Sequence, residues 1–285
     1  MNDQAAKLRQ KVAAKATNTR IIAVASGKGG VGKSNITVNL GLALQEAGKK
    51  VLLMDADLGM ANLDILLGLT PRYNLSHVLK GKCRFEEALL EGPGGIDILP
   101  GTSGVDDLIN ISSTEVKRLI EASSQMESIY DIILIDIGAG IHFSVTNFIL
   151  ASDESIIVLT PEPTAIMDAY SLIKFLARQK CQSKISLLVN QTASDKEGDN
   201  VASRMRKVIS EYLKLEIDIM GYIPYDNNVK ESVKDQTPFI LAYPRTKAVE
   251  SLKSVAAKML DREEENESHG MKAFMYRIVG IFGRK

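Results

Sequence analysis

The chain has 285 residues, of which 45% are hydrophobic and 25% charged, and its formal net charge at pH 7 is zero. This length suits one large α/β domain, and the neutral charge gives no global positive field of the kind that binds bulk DNA. The two cysteines, Cys83 and Cys181, lie far apart and outside any CxxC or Cys/His cluster. This argues against a disulfide framework or a zinc site. No apolar run reaches the roughly 18 to 20 residues that cross a bilayer, and the N-terminus lacks a signal peptide, so we expect a cytoplasmic protein.

Residues 1–19 precede the first predicted strand and carry a thin apolar stripe of Ala5, Leu8 and Val12 beside several basic side chains. Such a stripe is too thin to form a stable helix by itself. The segment is therefore either a recognition peptide that becomes ordered on a partner or a polar tail.

Apolar runs and helical patterns alternate over residues 20–260, and several runs are apolar throughout, which is typical of parallel strands covered on both faces. This alternation predicts one α/β domain, a doubly wound, mainly parallel sheet with helices on both faces. Ligands bind such sheets at the carboxyl ends of the strands. The predicted strands are 20–26, 49–55, 95–100, 130–136, 154–160 and 184–190, and the predicted helices are 33–47, 112–127, 163–180, 197–213 and 245–262.

The C-terminal end separates into an acidic linker, residues 261–270, and an amphipathic segment, residues 271–285. On a helical wheel the apolar side chains of this segment share one arc of roughly 160°, with basic residues at its borders. This pattern favours a helix that lies in a membrane interface, although docking on the protein's own surface or on a partner protein fits as well. The predicted membrane contacts are Phe274, Met275, Ile278, Ile281 and Phe282.

A complete phosphate-binding loop, Gly27-x-x-x-x-Gly32-Lys33-Ser34, follows the first strand and precedes the first helix. In such a loop the backbone N–H groups and the helix N-terminus surround phosphate oxygens. Lys33 is expected to contact the β- and γ-phosphates, and the Ser34 hydroxyl to bind Mg²⁺. The predicted nucleotide contacts in the loop are Gly29, Gly30, Val31, Gly32, Lys33, Ser34 and Asn35.

Acidic residues end two further strands, in "MDADLG" with Asp55 and Asp57 and in "LIDIGAG" with Asp136. Asp136 follows four apolar residues, the Walker B arrangement, and is predicted to hold Mg²⁺. Asp55 is either a third magnesium contact beside Ser34 and Asp136 or a loop cap. Asp57 is the candidate that orients the attacking water. Gly140 is expected to donate its N–H to the γ-phosphate.

A second lysine, Lys28, follows the first glycine of the phosphate-binding loop. It comes too early to repeat the contact that Lys33 makes within its own subunit. We interpret Lys28 as a finger that reaches phosphates across a homodimer interface, as arginine fingers do in trans. Lys28, Lys33 and Asp57 are the predicted catalytic residues.

The late strand that would carry a guanine-recognition motif ends in "LLVNQTAS", with Asn190 in place but Ala193 where the discriminating aspartate belongs. This favours adenine, so the predicted cofactors are ATP or ADP with Mg²⁺. We expect the base to contact Asn190 and the "GYIPYD" segment at Pro224 and Asp226. Asn190 also fits the simpler interpretation of a turn residue.

The motifs "KGGVGKS" with the early Lys28, "DADLGMANLDILLGL" and "DIGAG" resemble those of the deviant Walker A ATPases of the MinD/ParA group. The similarity covers about residues 20–260 and implies the SIMIBI type of P-loop NTPase fold. Within the group, "GPGGIDILPG" (92–101) and "GYIPYD" are most similar to the FlhG family, also called YlxH or FleN. One departure is that Ile137 and Gly138 follow Asp136, where Thr or Ser is frequent in this group.

The resemblance implies a slow, regulatory ATP hydrolase that forms a homodimer with ATP and controls the number and placement of flagella. The residues Asp3, Gln4, Ala5, Leu8 and Arg9 resemble the DQAxxLR element of the FlhG family. That element implies contacts with an FlhF-type GTPase and with flagellar switch (C-ring) proteins. The last helix resembles the family's membrane-targeting sequence, which implies peripheral attachment to the inner face of the cell membrane in the ATP-bound dimer.

Two relatives with other functions share the same core. A ParA-type DNA-segregation ATPase would carry a basic surface, and the neutral net charge argues against specific nucleic-acid binding. A MinD-type division-site selector normally begins almost at its first strand, whereas 19 residues precede it here. A binding platform that holds nucleotide without hydrolysis is a third alternative, which Asp57 disfavours.

Overall fold

The computed structural model describes residues 19–57, 63–101, 113–261 and 270–282. Within these ranges, eight strands form one sheet in the order β3-β4-β2-β5-β1-β6-β7-β8. The strands are β1 (Arg20–Ser26), β2 (Val51–Ala56), β3 (Leu90–Glu91), β4 (Asp97–Leu99), β5 (Ile132–Ala139), β6 (Glu154–Leu159), β7 (Lys184–Thr192) and β8 (Asp218–Pro224). All neighbouring strands are parallel except β3 and β4, so the predicted fold class is confirmed.

Helices cover both faces of this sheet. They are α1 (Lys33–Glu46), α2 (Leu63–Leu66), α3 (Leu75–Leu79), α4 (Phe85–Ala88), α5 (Ser113–Ile129), α6 (Phe143–Ala151), α7 (Pro163–Arg178), α8 (Asp195–Leu213), α9 (Asn227–Lys234), α10 (Phe239–Ala242), α11 (Lys247–Asp261) and α12 (Gly270–Phe282). One apolar core lies between the sheet and α5, α6, α7, α8 and α12, and the other between the sheet and α1, α10 and α11. None of the helices in the described ranges is long and apolar enough to span a bilayer.

The central strands carry the site because of their order. Strand β5 lies between β1 and β2, with Val24 and Asp55 as the neighbours of Asp136 in the ladder. The phosphate-binding loop leaves β1, so the loop and both acidic strand ends meet at the carboxyl edge of the sheet. This is the edge at which open parallel sheets bind ligands.

The edge strand β8 was not predicted. Only Met220 and Ile223 of its seven residues are buried, because the strand closes the sheet and has a neighbour on one side alone. It therefore lacks the continuous apolar run that marks the central strands. Helix α6 was missed for a different reason. It has nine residues, FSVTNFILA, and buries the polar Thr146 and Asn147 together with its apolar side chains, so its sequence shows no helical period.

The C-terminal helix α12 packs against α5, α6 and β1. Met271, Phe274, Met275 and Ile278 are at most 3% exposed, and the Phe274 ring lies 6.1 Å from that of Phe148 in α6. The apolar face of α12 is thus part of the protein core in this structure.

Candidate nucleotide-binding site

The phosphate-binding loop is held in place by a side chain from β7. The Asn190 amide nitrogen donates to the Val31 carbonyl at 2.8 Å. Gly32 has a left-handed φ of 87°, and a Cβ on it would lie 2.5 Å from that amide nitrogen. Conformation and contact together therefore require glycine at this position. Gly29 and Gly30 are exposed, whereas Val31 is buried.

The carboxylate of Asp136 is hydrogen-bonded to three side chains at the start of α1. It accepts a hydrogen bond from the Lys33 ammonium at 2.7 Å, from the Ser34 hydroxyl at 2.6 Å and from the Thr37 hydroxyl at 3.0 Å. Asp136 is fully buried, and hydrogen-bond partners offset the solvation that a buried carboxylate loses. The structure thus brings the predicted phosphate lysine and two predicted magnesium contacts together.

These groups fit a magnesium–nucleotide complex. A hydroxyl and a carboxylate oxygen 2.6 Å apart are hard oxygen donors, which Mg²⁺ prefers. The glycine-rich loop leads into the N-terminus of α1, where backbone N–H groups suit phosphate oxygens. Bound Mg²⁺ would neutralise charge on the phosphates, while Lys33, Ser34 and Asp136 would hold the ion and the phosphates in place.

Asp55 and Asp57 lie beside Asp136 and are linked to each other. The Asp55 carboxylate accepts hydrogen bonds from the backbone N–H groups of Asp57, at 2.9 Å, and Leu63, at 3.3 Å. These bonds are those of a loop cap, the alternative that the sequence left open, and its magnesium contact stays a prediction. The Asp57 carboxylate lies beside the end of β5, with Oδ1 3.2 Å from the position that a Cβ on Gly138 would take.

The N–H of Gly140 already has a partner, since it donates to the Ser26 carbonyl at 2.9 Å. The predicted contact with a γ-phosphate therefore requires this hydrogen bond to break. Such an exchange would move the loop that follows Asp136, and the γ-phosphate role of Gly140 remains a prediction.

The predicted base contacts line one cleft beside the phosphate-binding loop. Asn35, Asn190, Pro224 and Asp226 surround it, and its apolar walls come from Ile36, Ile223, Val229 and Phe239. The Asp226 carboxylate also caps α9, because it accepts from the Asn228 N–H at 2.9 Å. The role of Asn190 as a base contact stays a prediction, and the sequence did not indicate its hydrogen bond to the phosphate-binding loop.

Lys28 contacts two residues that the sequence analysis did not identify. Its ammonium lies 2.8 Å from a Glu162 carboxylate oxygen and 2.9 Å from the Thr164 hydroxyl. Glu162 follows β6 at the ligand-binding edge of the sheet, which is the signal that would have suggested it. Thr37 was also missed, although it lies one helical turn after Lys33 and therefore on the same face of α1.

The structure describes some of the predicted contacts at the C-terminal end of the chain and none of those at the N-terminal end. The predicted partner contacts Asp3, Gln4, Ala5, Leu8 and Arg9 lie outside the described residues. Of the predicted membrane contacts, Phe274, Met275 and Ile278 are buried against the protein body. The side chains of Ile281 and Phe282 lie outside the described part of the chain.

Neither cysteine belongs to the site. Cys83 lies between α3 and α4, and Cys181 follows α7. Burial raises the pKa of both thiols, and the nearby Glu87 carboxylate adds to the effect at Cys83. Both thiols are therefore neutral at pH 7, whereas a metal cluster or a nucleophile requires the thiolate.

Comparison with known proteins places this site in context. A family model described as the CobQ/CobB/MinD/ParA nucleotide binding domain matches residues 22–239. The antiactivator FleN of Pseudomonas aeruginosa is 42% identical over 240 residues, which cover 84% of this chain and 86% of FleN. The flagellum site-determining protein YlxH of Helicobacter pylori is 35% identical over 272 residues, which cover 93% of this chain and 92% of YlxH.

A solved structure agrees with these relatives. The septum site-determining protein MinD of Pyrococcus horikoshii, complexed with Mg-ADP, has a TM-score of 0.68 and 28% sequence identity to this chain. The similarity covers 85% of this chain and 96% of that one.

The Asp136→Asn variant separates the magnesium contact from the phosphate contacts. We expect it to weaken the binding of Mg-ATP by about tenfold or more, because the charged metal ligand is lost. Binding of ADP in EDTA is expected to change much less, since Lys33 remains available to the phosphates. Titration with a fluorescent nucleotide, with and without Mg²⁺, measures both. An equal loss under the two conditions would contradict the magnesium role.

Proposed function

Because the chain belongs to the CobQ/CobB/MinD/ParA nucleotide-binding family, we propose that it acts as a nucleotide-switched regulator that cycles between an ADP and an ATP state. It is a MinD-like ATPase that uses ATP and Mg²⁺, and its resemblance to the FlhG family is confirmed by FleN and YlxH. The observation that carries the proposal is the buried Asp136, which gathers Lys33 and Ser34 at the phosphate-binding loop. We assign its activity to the control of flagellar number and placement.

The ATP state that we propose is a homodimer with the two phosphate-binding loops facing each other. Lys28 supports this proposal because its ammonium contacts Glu162 and Thr164 and its side chain is 38% exposed. A lysine in this position is reachable by a second subunit. The exposed pair with Glu162 is weak enough to exchange for phosphate oxygens of the partner subunit.

The Lys28→Ala variant tests the dimer. We expect it to bind ATP as a monomer with nearly unchanged affinity, to form no ATP-dependent dimer, and to lose ATP hydrolysis by about a hundredfold or more, as other nucleotide hydrolases do without a finger in trans. Sedimentation velocity with ATP and ADP and a phosphate-release assay measure these effects. The control is Lys207→Ala on the exposed side of α8. A dimer of normal affinity in the Lys28→Ala variant would refute the finger.

We further propose that α12 is the membrane anchor. In the ATP state it would leave the groove formed by α5, α6 and β1, in which it is docked here. Its apolar face with basic neighbours suits a membrane interface. Each of its buried apolar side chains contributes about 1.5–3 kcal/mol in the groove, and a lipid surface would recover much of this on undocking. Docking and membrane binding use the same face of the helix, so they exclude each other.

The double variant Phe274→Asp/Ile278→Asp tests the anchor in the full chain. With ATP, we expect its sedimentation with phosphatidylglycerol vesicles to fall by about tenfold or more, because two apolar contacts become charged. Its affinity for ATP should stay the same. Tyr276→Asp is the matched control, since Tyr276 is 58% exposed on the other side of α12. Sedimentation of the double variant at the level of the natural sequence would rule out the anchor.

The N-terminal extension, residues 1–19, is proposed to contact an FlhF-type GTPase and flagellar switch proteins. The support is its similarity to the DQAxxLR element, together with the identity to FleN over 84% of the chain and to YlxH over 93% of it.

A peptide of residues 1–20 tests this contact directly. We expect it to accelerate GTP hydrolysis by an FlhF-type GTPase, because the recognition residues are all within it. The Gln4→Ala peptide should accelerate hydrolysis less. The Gln10→Ala peptide, changed outside the element, should act like the natural one. If the natural peptide causes no acceleration, the assignment is wrong.

A further inference from the structure

The N-terminal end of α12 is covered by a side chain from a distant part of the chain. Glu127 lies in the last turn of α5, and its Oε1 atom accepts a hydrogen bond from the Lys272 N–H at 2.7 Å. Gly270 begins α12 with a left-handed φ of 76°. A Cβ on Gly270 would lie 2.6 Å from the same Glu127 oxygen. The carboxylate thus sits directly on the first turn of α12.

At this position the Glu127 carboxylate interacts favourably with the N-terminal end of α12. The first N–H groups of a helix lack intrahelical partners, and the helix dipole makes that end positive. Helix α12 has no acidic residue in its own first turn. Glu127 of α5 places a negative charge at this end of the helix, and α12 has this contact only while it is docked.

A second polar contact lies in the C-terminal half of α12. The Arg277 guanidinium donates to the Ala151 carbonyl at 2.9 Å, and Ala151 is the last residue of α6, where the helix dipole is negative. The four buried apolar side chains of α12, at positions 271, 274, 275 and 278, pack beside these two contacts. Arg277 also belongs to the basic border of the helix, so changing it would alter membrane binding itself. Glu127 lies outside α12 and acts on the docked form alone.

The backbone that carries Glu127 is fixed from the start of the domain. The Thr19 hydroxyl donates to the Tyr130 carbonyl at 2.8 Å and lies 3.4 Å from the Glu127 carbonyl. The chain therefore enters β1 beside the turn that holds α12. This contact holds the backbone at the end of α5, which carries Glu127, and it involves no residue of α12.

We propose that Glu127 is the latch of α12, a positioning residue that sets the equilibrium between the docked and the released helix. The inference rests on the proposed function in which the released helix binds a membrane. It adds to that function a single residue, outside the anchor and outside the nucleotide site, that determines how much helix is available for lipid.

The test uses the full-length protein with ADP and three variants. Glu127→Ala removes the latch, Glu127→Gln keeps its shape without its charge, and Glu121→Ala is the matched control on the exposed side of α5. Hydrogen exchange of residues 270–282 is measured first, without lipid. We expect Glu127→Ala to raise the exchange rate by about tenfold, since a charged hydrogen bond at a helix end is lost. Glu127→Gln should raise it less, and Glu121→Ala should leave it unchanged.

The same proteins are then sedimented with phosphatidylglycerol vesicles. With ADP, the bound fraction of Glu127→Ala should rise toward the level that the natural protein reaches with ATP. With ATP, all proteins should bind alike, and ATP hydrolysis without vesicles should not change. Exchange of β5 is the internal control, because a latch affects α12 and leaves the sheet protected.

The outcomes separate the latch from the anchor. Unchanged exchange in α12, or an equal rise in α12 and β5, overturns the latch. Faster exchange confined to α12 together with increased vesicle binding supports both. Faster exchange confined to α12 without increased vesicle binding supports the latch and contradicts the membrane role of the proposed function.

Discussion

The structure depends on one buried charge, the carboxylate of Asp136. It lies between β1 and β2 on the central strand, where it binds Lys33, Ser34 and Thr37 at once. A fully buried carboxylate without partners would cost several kcal/mol. The loop and the start of α1 are therefore drawn onto the end of β5. The groups predicted to serve phosphates and magnesium are held together by their contacts with each other.

Three groups that the proposed cycle requires to contact a ligand, a second subunit or a membrane are bound within the chain in this structure. Lys28 is paired with Glu162, the Gly140 N–H with the Ser26 carbonyl, and α12 with Glu127. Each of these contacts must be exchanged before the group can reach a second subunit, a γ-phosphate or a membrane. The contacts of Lys28 and of the Gly140 N–H are hydrogen bonds or an exposed ion pair, so their exchange costs little and a ligand of modest energy can shift their populations. Release of α12 costs more, because it also uncovers four buried apolar side chains, and in the proposed cycle the lipid surface offsets that cost.

Sequence reasoning succeeded where the chemistry is local. The phosphate-binding loop, Asp136 and the strands around them follow from residue types at fixed spacings, and the structure places them together. It failed for β8, whose buried residues are too few to show a period, and for the short helix α6, which buries polar and apolar side chains alike. The partners Glu162 and Thr164 of Lys28 lie more than 130 residues away in the chain, so no local spacing points to them.

The amino-acid sequence by itself determined the α/β fold, the nucleotide site and the two-sided character of the last helix. These properties depend on local periodicity and on short motifs, in which neighbouring residues meet whatever the rest of the chain does. Only the tertiary structure decided where the apolar face of α12 goes. A helical wheel shows that a face is apolar but not what covers it, because lipid and a protein groove both remove the apolar surface from water. The groove of α5, α6 and β1 and the carboxylate of Glu127 are assembled from distant segments, and they exist only once the chain has folded.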